Sequence, residues 1–250
     1  MIAPAKKMQA ASDLIDRYVA VWNEPDRDAR RRRIESVWGP GGATCYRLLD
    51  ARGYEAIEAR VAGSWERWLR EGKYIFRPVR AIAHGKAVRF EFAMVATADG
   101  RIEAQGLCYL LSDGGGRIAQ DYQFNPTVND AADLANEYLA PWNEPDAGLR
   151  QTLLAKLWAT DCAYFDRKAE THGLTAIAER VADAHRRLVA KGQILSAAGR
   201  SQRHHDVAHI GRRAALPDRR GASEAGSTLL IMDENGRIAS AYQFDDTTAS

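Results

Sequence analysis

Cysteine is scarce in this sequence. The 250 residues include three cysteines, Cys45, Cys108 and Cys162, and none of them belongs to a Cys-x-x-Cys pair. Disulfide frameworks and structural zinc sites need cysteines in matched or closely spaced sets. The cysteine usage therefore argues against both kinds of stabilisation and fits a reducing cytoplasm.

A strong excess of one charge is also missing. Lys and Arg number 35 against 33 Asp and Glu, which gives a formal net charge of +2. A nucleic-acid surface needs basic residues gathered on one face, and only the run from Arg30 to Arg33 is locally basic. Because that run lies in a predicted helix, we interpret it as a solvated helix face and expect no nucleic-acid partner.

Long apolar runs and cofactor motifs are absent as well. No segment approaches the roughly 20 apolar residues that span a bilayer, and the first residues lack the apolar core of a signal peptide. The sequence contains neither a Gly-x-Gly-x-x-Gly fingerprint nor a phosphate-binding loop. We therefore expect a cytoplasmic protein with no cofactor and no membrane association.

Three histidines come closest to a set of metal ligands. His204 and His205 are adjacent, His209 follows, and Asp206 is the only carboxylate at a suitable spacing. Adjacent side chains in an extended turn point apart, whereas a closed zinc site needs four converging ligands. We predict a turn at this position and no metal site.

What the sequence does contain is an internal repeat with a spacing of 120 residues. Residues 18–26 (YVAVWNEPD) return as 138–146 (YLAPWNEPD), and residues 121–124 (DYQF) return as 241–244 (AYQF). A repeat of this length indicates two domains of ordinary size. We call residues 8–126 module 1 and residues 127–246 module 2. Positions at which the copies differ, above all 46/166, 92/212 and 121/241, are the informative ones.

Each module reads as three helices followed by an antiparallel sheet. In module 1 an amphipathic helix ends near Asn23, a residue that tolerates the left-handed conformation, and Asp26 caps a second helix. The Gly-Pro-Gly-Gly stretch at 39–42 should stop that helix, before a short strand at 43–48 and a third helix at 54–70. Alternating residues from Val88 onward then predict half-buried strands. The pattern indicates an α+β fold.

This order of elements resembles the SnoaL-like branch of the NTF2-like superfamily. The likeness includes the Tyr-x-Ala-x-Trp-Asn helix end, a helix that opens Gly-x-x-Ala-Ile and a final Gly-Arg-Ile strand, and it covers nearly the whole chain twice. In that superfamily a curled sheet forms a cystatin-like cone around the long helix, with an apolar pocket inside. The resemblance implies two tandem modules paired as an internal pseudo-dimer, or a higher homo-oligomer formed through the sheets.

A narrower resemblance is to ketosteroid isomerases of the same superfamily. Tyr18 and Tyr138 match the tyrosine that donates a hydrogen bond to the developing enolate in those enzymes. Asp166, at the end of the run Asp161-Cys-Ala-Tyr-Phe-Asp166, matches the general base, whereas module 1 has Tyr46 there. A carboxylate and a hydroxyl donor at an apolar cavity can together move a proton next to a carbonyl. The resemblance therefore implies Asp166 and Tyr138 as a catalytic pair.

The final strand offers a second candidate for proton transfer. Gln123 and Gln243 point away from the face of their aromatic neighbours, and Asp121 shares their face in module 1, where module 2 has Ala241. Glutamine can bind a substrate oxygen but cannot act as a base. If module 1 carries a proton-transfer group, Asp121 is the best candidate; an ordinary polar strand face is the alternative.

Further residues are candidates for substrate binding. Trp142 and Tyr46 offer aromatic surface, although a tryptophan shared by both copies also fits a core position. Arg212 stands where module 1 has the apolar Phe92, and a charge on an apolar face needs a partner or water. It could pair with Asp166, hold an acidic substrate group, or point outward after a shift in register.

These observations predict a small-molecule enzyme that transfers protons on an apolar, carbonyl-bearing substrate in the pocket of module 2. The alternatives are a non-catalytic protein that binds a small molecule or a partner protein, and a purely structural dimerisation module. The fold hosts all of these, so the site has to decide between them.

Overall fold

The computed structural model describes residues 4–216 and 224–246 of the chain. The chain divides into two compact units, Met1–Pro126 and Thr127–Ser250. The α+β plan predicted from the sequence is confirmed in each. Their pairing as an internal pseudo-dimer stays a prediction. Among the described helices, none combines the length and the apolar character needed to cross a bilayer.

Module 1 contains three helices and a six-stranded sheet. The elements are α1 (Pro4–Asn23), α2 (Arg27–Val37), β1 (Trp38–Tyr46), β2 (Leu49–Arg52), α3 (Gly53–Trp68), β3 (Tyr74–His84), β4 (Ala87–Ala96), β5 (Ile102–Ser112) and β6 (Ile118–Phe124). The strand order is β2-β1-β6-β5-β4-β3. All neighbours are antiparallel except β1 and β6, which run parallel.

Module 2 repeats this plan with small changes at its sheet edge. Its elements are α4 (Ala132–Asn143), α5 (Ala147–Leu157), β7 (Trp158–Phe165), β8 (Glu170–His172), α6 (Leu174–Ala190), β9 (Ile194–Ala197), β10 (Gln202–His204), β11 (Val207–Ala215), β12 (Glu224–Met232) and β13 (Ile238–Asp245). The order is β10-β11-β12-β13-β7-β8, and β9 also pairs with β11.

The helices of module 1 cover one face of its sheet, and the core lies between these two layers. Tyr18 and Trp22 from α1, Ile57 and Val61 from α3, and Phe90 from β4 belong to one buried cluster. They recur at helical spacing in the helices and on one side of the strand, which is why they meet there. Polar residues on the same sheet face are therefore buried under the helices.

The asparagine at the end of the first helix of each module has a structural role that the sequence did not predict. Asn23 ends α1 as expected, but its φ is not positive. Its side chain instead donates to the carbonyl of Phe76 at 2.8 Å and accepts from the amide of Phe76 at 2.9 Å. Asn143 bonds Leu195 in the same way, at 2.7 and 2.8 Å. The asparagine fastens the helix to an edge strand of its own module, so the predicted left-handed helix end is wrong.

The second helix begins as predicted and ends differently. The Asp26 carboxylate accepts from the amide of Ala29 at 2.7 Å, which confirms the N-cap. The chain is already extended at Trp38, and the glycine-rich stretch belongs to β1, where the register shifts between Trp38 and Ala43. Such a bulge bends a strand. At Gly42 a Cβ would lie 2.9 Å from the Ile118 carbonyl oxygen, so the bulge needs glycine there.

The arginine run is only partly the solvated face that we predicted. Arg30 is 6% exposed and donates to the carbonyl of Glu24 at 2.9 Å. Its equivalent in module 2, Arg150, is also buried and donates to the carbonyl of Glu144. This arginine therefore bridges the turn between the first two helices in both modules.

Candidate functional site

Asp121 lies at the centre of a buried polar group in module 1. It is fully buried on β6, directly opposite Thr44 on the parallel strand β1. Its Oδ2 accepts hydrogen bonds from the Tyr18 hydroxyl at 2.8 Å, the Thr44 hydroxyl at 2.9 Å and the Gln123 amide at 2.9 Å. Its Oδ1 is buried and has no hydrogen-bond partner among the described residues.

A second layer links this carboxylate to a cation. The amide nitrogen of Gln123 also lies 3.0 Å from the Tyr18 hydroxyl and 3.2 Å from that of Thr44. The carbonyl oxygen of Gln123 accepts from the guanidinium of Arg60 at 3.0 Å. We call Tyr18, Thr44, Arg60, Asp121 and Gln123 the Asp121 cluster. It joins α1, α3, β1 and β6.

The surroundings of Asp121 place its titration close to neutral pH. Burial raises the pKa of Asp121 to about 6, against the lowering effect of its three hydrogen bonds and of the Arg60 charge. Burial, reinforced by the nearby carboxylate, raises the pKa of the Tyr18 hydroxyl well above its ordinary value. Tyr18 therefore stays a donor while Asp121 changes its protonation state.

Aromatic rings surround the cluster. The ring centroid of Tyr18 lies 5.3 Å from that of Trp38 and 5.3 Å from that of Phe90. The Arg60 guanidinium lies 5.3 Å from the centroid of Trp22 and 5.6 Å from that of Tyr46, within the range of cation–π attraction. Arg60 and Tyr46 are half-buried whereas Asp121 is fully buried, so these two mark the side of the cluster nearest to solvent.

Cys108 is a buried neighbour of Tyr18. Its sulfur lies 3.8 Å from the Tyr18 hydroxyl. Burial, followed by the Asp121 charge, raises the pKa of the thiol well above its ordinary value. Cys108 is therefore a neutral, buried thiol, which is an inert form of cysteine.

In module 2, a large residue and a small residue stand at the positions of Thr44 and Asp121. Thr44 and Asp121 face each other across β1 and β6, and Tyr164 and Ala241 face each other across β7 and β13. Both Tyr164 and Ala241 are buried. The large ring opposite the small methyl keeps the volume and removes the carboxylate.

The structure places Asp166 in a turn at the end of β7. It follows the last residue of β7. Its Oδ1 accepts from the amides of Lys168 at 2.7 Å and Ala169 at 2.9 Å, and its Oδ2 forms an ion pair with Arg180. The pair predicted from the sequence is thus not in hydrogen-bond contact, and both carboxylate oxygens of Asp166 are engaged.

Arg212 is buried on β11, but its partner is not Asp166. Its guanidinium pairs with Asp245, which also accepts from the Gln243 amide at 3.1 Å. Gln243 in turn accepts from the Tyr164 hydroxyl. Of the three alternatives for Arg212, pairing with Asp166 is therefore wrong, since the final strand brings Asp245 to the same sheet face.

Tyr138 and Trp142 lie on α4 with little exposure, 1% and 5%. Neither the Tyr138 hydroxyl nor the Trp142 indole nitrogen finds a hydrogen-bond partner within the described ranges. Burial raises the pKa of Tyr138 to about 12, against a lowering effect of Arg212. The two tyrosines at equivalent positions, Tyr18 and Tyr138, therefore differ: one is bonded to a carboxylate and the other is not.

This difference predicts unequal effects of one substitution made at both positions. Tyr18→Phe removes a hydrogen bond to a buried carboxylate, which contributes roughly 1.5–3 kcal/mol. Tyr138→Phe removes a buried hydroxyl without a partner among the described residues, which should leave stability within about 0.5 kcal/mol of wild type or raise it. Urea denaturation followed by circular dichroism compares the two variants. Equal losses would contradict the assigned bonding.

Two members of the cluster, Thr44 and Arg60, were not identified from the sequence. Thr44 is unmatched between the copies, and its role depends on the register of two strands far apart in the chain. Arg60 did carry a signal, because Arg60-Val-Ala recurs as Arg180-Val-Ala next to a buried helical position. An arginine retained in both copies beside core valines indicates a buried partner.

The histidines predicted to form a turn do so. His205 has a positive φ of 50°, and the two imidazole Nδ1 atoms of His204 and His205 lie 3.2 Å apart. In residues 4–216 and 224–246, no group of three or more His, Cys, Asp or Glu side chains is arranged to hold a metal ion.

No protein-family model matches the chain, and no curated protein sequence matches it. Solved structures match about half of the chain each. One is a SnoaL-like family protein from Agrobacterium tumefaciens C58, named as an isomerase, with 24% identity and a TM-score of 0.44 over 47% of this chain and 98% of that one. Another, from Jannaschia sp. CCS1, is named as a SnoaL-like polyketide cyclase, with 13% identity and a TM-score of 0.40 over 54% and 94%.

A third structure is an NTF2-like protein with a cystatin-like fold from Novosphingobium aromaticivorans. It shares 17% identity and a TM-score of 0.41 over 52% of this chain and 88% of its own. Coverage of about half agrees in length with one module of the repeat. At these identities and TM-scores the matches transfer no activity to this chain.

Proposed function

We propose that module 1 is the functional site and that Asp121 transfers a proton to and from a small, largely apolar molecule that carries a carbonyl group. One observation carries this proposal: a fully buried carboxyl group has one oxygen held by three donors, while its other oxygen has no partner within the described part of the chain. Three donors fix the orientation of the group, and the second oxygen remains able to accept a proton.

The pKa suits this role. General acid–base catalysis is most efficient when the pKa of the group lies near the working pH. At a pKa of about 6, Asp121 is mainly ionised at neutral pH yet can be protonated at low energetic cost. A carboxylate left in water would be a much weaker base.

The neighbouring groups suit a carbonyl substrate. The rings of Tyr18, Trp38 and Phe90 provide an apolar wall. The Nε of Arg60 is buried without an acceptor among the described residues, and so is the indole nitrogen of Trp22. A donor that gains its acceptor only as negative charge develops on the substrate oxygen stabilises the transition state.

The proposed reaction step uses two polar atoms that lack partners among the described residues, Oδ1 of Asp121 and Nε of Arg60. Oδ1 of Asp121 takes a proton from the carbon next to the carbonyl, and the electron pair of that C–H bond forms the C=C bond of an enolate. The enolate oxygen accepts from the Arg60 Nε–H. Return of the proton from Asp121 to the same or another carbon completes exchange or isomerisation. Tyr18, Thr44 and Gln123 position the carboxylate and do not react.

Asp166, the base favoured by the sequence resemblance, supports this reaction less well. Its oxygens are used by two backbone amides and by Arg180. Both oxygens of this carboxylate are therefore already engaged, and neither is left without a partner to take a substrate proton. The geometry therefore favours module 1, although the sequence resemblance favours module 2.

The test is exchange of α-protons in D₂O, followed by proton NMR with 2-tetralone and cyclohexanone as apolar ketone probes. We expect the wild-type protein to accelerate exchange of at least one probe over matched buffer. Asp121→Asn should lose the acceleration, and Asp166→Asn should retain it. No acceleration by the wild type, or loss in Asp166→Asn alone, would contradict the proposal.

A further inference from the structure

Module 2 contains a second set of buried polar groups that the proposed reaction does not use. We call Tyr138, Trp142, Arg212 and Thr228 the Tyr138 cluster. They are 1%, 5%, 7% and 0% exposed, respectively. In each of them one polar atom, the hydroxyl of Tyr138 or Thr228, the indole nitrogen or the guanidinium Nε, is buried and lacks a partner within the residues that the structure describes.

The sheet brings two of these residues together. Arg212 lies opposite Gly226, and Thr228 lies opposite Ile210, so Arg212 and Thr228 are diagonal neighbours on one sheet face. A Cβ at Gly226 would lie 3.1 Å from the Arg212 guanidinium, and the glycine therefore leaves room for it. Thr228 also contacts Tyr138, although the two hydroxyls do not reach hydrogen-bond geometry.

Arg212 and its ion-pair partner Asp245 differ in exposure to solvent. The side chain of Arg212 is 8% exposed, whereas that of its partner Asp245 is 42% exposed. Water and salt screen the exposed carboxylate more strongly than the buried guanidinium. The interior side of the pair is therefore positive, and Asp245 leaves the Nε of Arg212 unused.

The replacement of Asp121 by Ala241 removes the acceptor that module 1 has at this place. Trp142 and Arg212 can only donate hydrogen bonds, and the hydroxyls of Tyr138 and Thr228 can donate as well. Asp166 is engaged by its turn and by Arg180. A cluster rich in donors and positive in charge fits a ligand that brings only acceptors and a negative charge.

We infer that module 2 binds a small organic carboxylate in the Tyr138 cluster. The carboxylate oxygens accept hydrogen bonds from the Nε of Arg212 and from the hydroxyls of Tyr138 and Thr228. The rings of Trp142 and Tyr164, whose centroids are 5.8 Å apart, contact the apolar body of the ligand. This site is separate from the Asp121 cluster and does not depend on proton transfer in module 1.

The test is isothermal titration calorimetry of the full chain with sodium benzoate, and with benzamide as a neutral ligand of the same shape. We expect one benzoate per chain with a dissociation constant of roughly 1 mM or lower, as the efficiency of small ligands allows. Benzamide should bind at least about tenfold more weakly, because hydrogen bonds to a charged acceptor are the stronger ones.

Module 1 supplies the substitution for the main variant. Module 1 has Phe92 at the equivalent position, opposite Gly106, as Arg212 is opposite Gly226. The variant Arg212→Phe should weaken benzoate binding about tenfold or more. Tyr138→Phe keeps all packing and should weaken binding by a similar factor, which protects the test if Arg212→Phe folds poorly. Tyr54→Phe, in module 1 and outside both clusters, removes only a hydroxyl that lies 3.4 Å from the Trp38 carbonyl. It is the control and should bind benzoate as the wild type does.

Three outcomes would overturn the inference. They are the absence of benzoate binding to the wild type, equal affinities for benzoate and benzamide, and unchanged benzoate affinity in folded Arg212→Phe and Tyr138→Phe proteins. Benzoate binding does not depend on α-proton exchange in module 1, so the two proposals are tested independently.

Discussion

Replacing Asp121 with Asn is expected to slow α-proton exchange by a factor of about 10²–10⁴, which is the usual contribution of a general base. The amide oxygen of asparagine can still accept from Tyr18, Thr44 and Gln123, so the position of the side chain should be kept. What is lost is the oxygen that takes the proton. Exchange rates of 2-tetralone in D₂O, measured for wild type and variant at equal concentrations of folded protein, give the factor.

The pH dependence of the same rate gives an independent check. Only the ionised form of Asp121 can take a proton, and burial raises its pKa to about 6. The rate in wild-type protein should therefore rise with pH through about 6 and then level off. Asp166→Asn should show the same profile and nearly the same rate. A full rate in Asp121→Asn, or a profile unchanged by that substitution, would contradict the assignment of the base.

Asp121 should also make the stability of the protein depend on pH. Its pKa rises from an ordinary value of 3.8 to about 6 in the folded chain, so the folded state binds more protons than the unfolded state between these values. The contribution of Asp121 to stability therefore falls as pH rises from about 4 to about 6 and is nearly constant above that. Two pKa units correspond to roughly 3 kcal/mol.

The measurement compares free energies of unfolding in urea for wild type and Asp121→Asn at pH 4 and pH 7. The variant cannot ionise at this position, so its stability relative to wild type should increase by about 2 kcal/mol between the two pH values, because the unfolded aspartate is already partly ionised at pH 4. Tyr138→Phe is the control, since its difference from wild type should be the same at both. A difference for Asp121→Asn that stays constant with pH would show that Asp121 is not held in this environment.

Much of the fold could be predicted because its signals are local. The Asp26 cap, the helical spacing of Tyr18 and Trp22, and the alternation from Val88 onward each lie within one element. The repeat added a second copy of every signal. The glycine-rich stretch at 39–42 was misread because a bulge depends on how β1 pairs with β6, and that partner strand is distant in sequence.

The side-chain partners of the candidate residues could not be predicted from the sequence, for a physical reason. An aspartate at the end of a strand can point into the core or accept from the amides of the following turn, and the sequence pattern around Asp166 is the same in both cases. In the structure the amides of Lys168 and Ala169 donate to Asp166, so its side chain belongs to the turn. Arg212 likewise finds Asp245 only through the pairing of three strands, which residue spacing does not reveal.

The mismatches between the copies remained the best guide to the chemistry. Asp121 is replaced by Ala241 in module 2, and Thr44 is replaced by Tyr164. The two positions face each other across neighbouring strands in each module. One pair therefore holds a buried carboxylate, and the other fills the same space without charge. Module 1 thus contains a buried carboxylate, whereas module 2 contains buried donors that have no partner among the described residues.

The most direct test of the account is the ionisation of Asp121 itself. Carbon-13 NMR of protein labelled at the aspartate side-chain carboxyl carbon, titrated from pH 3 to pH 9 and compared with Asp121→Asn to assign the resonance, reports this pKa. We predict a value of about 6, set by burial against three hydrogen bonds and the charge of Arg60. A value at or below the ordinary 3.8 of an aspartate would contradict the central claim, because Asp121 would then be a permanently ionised structural group.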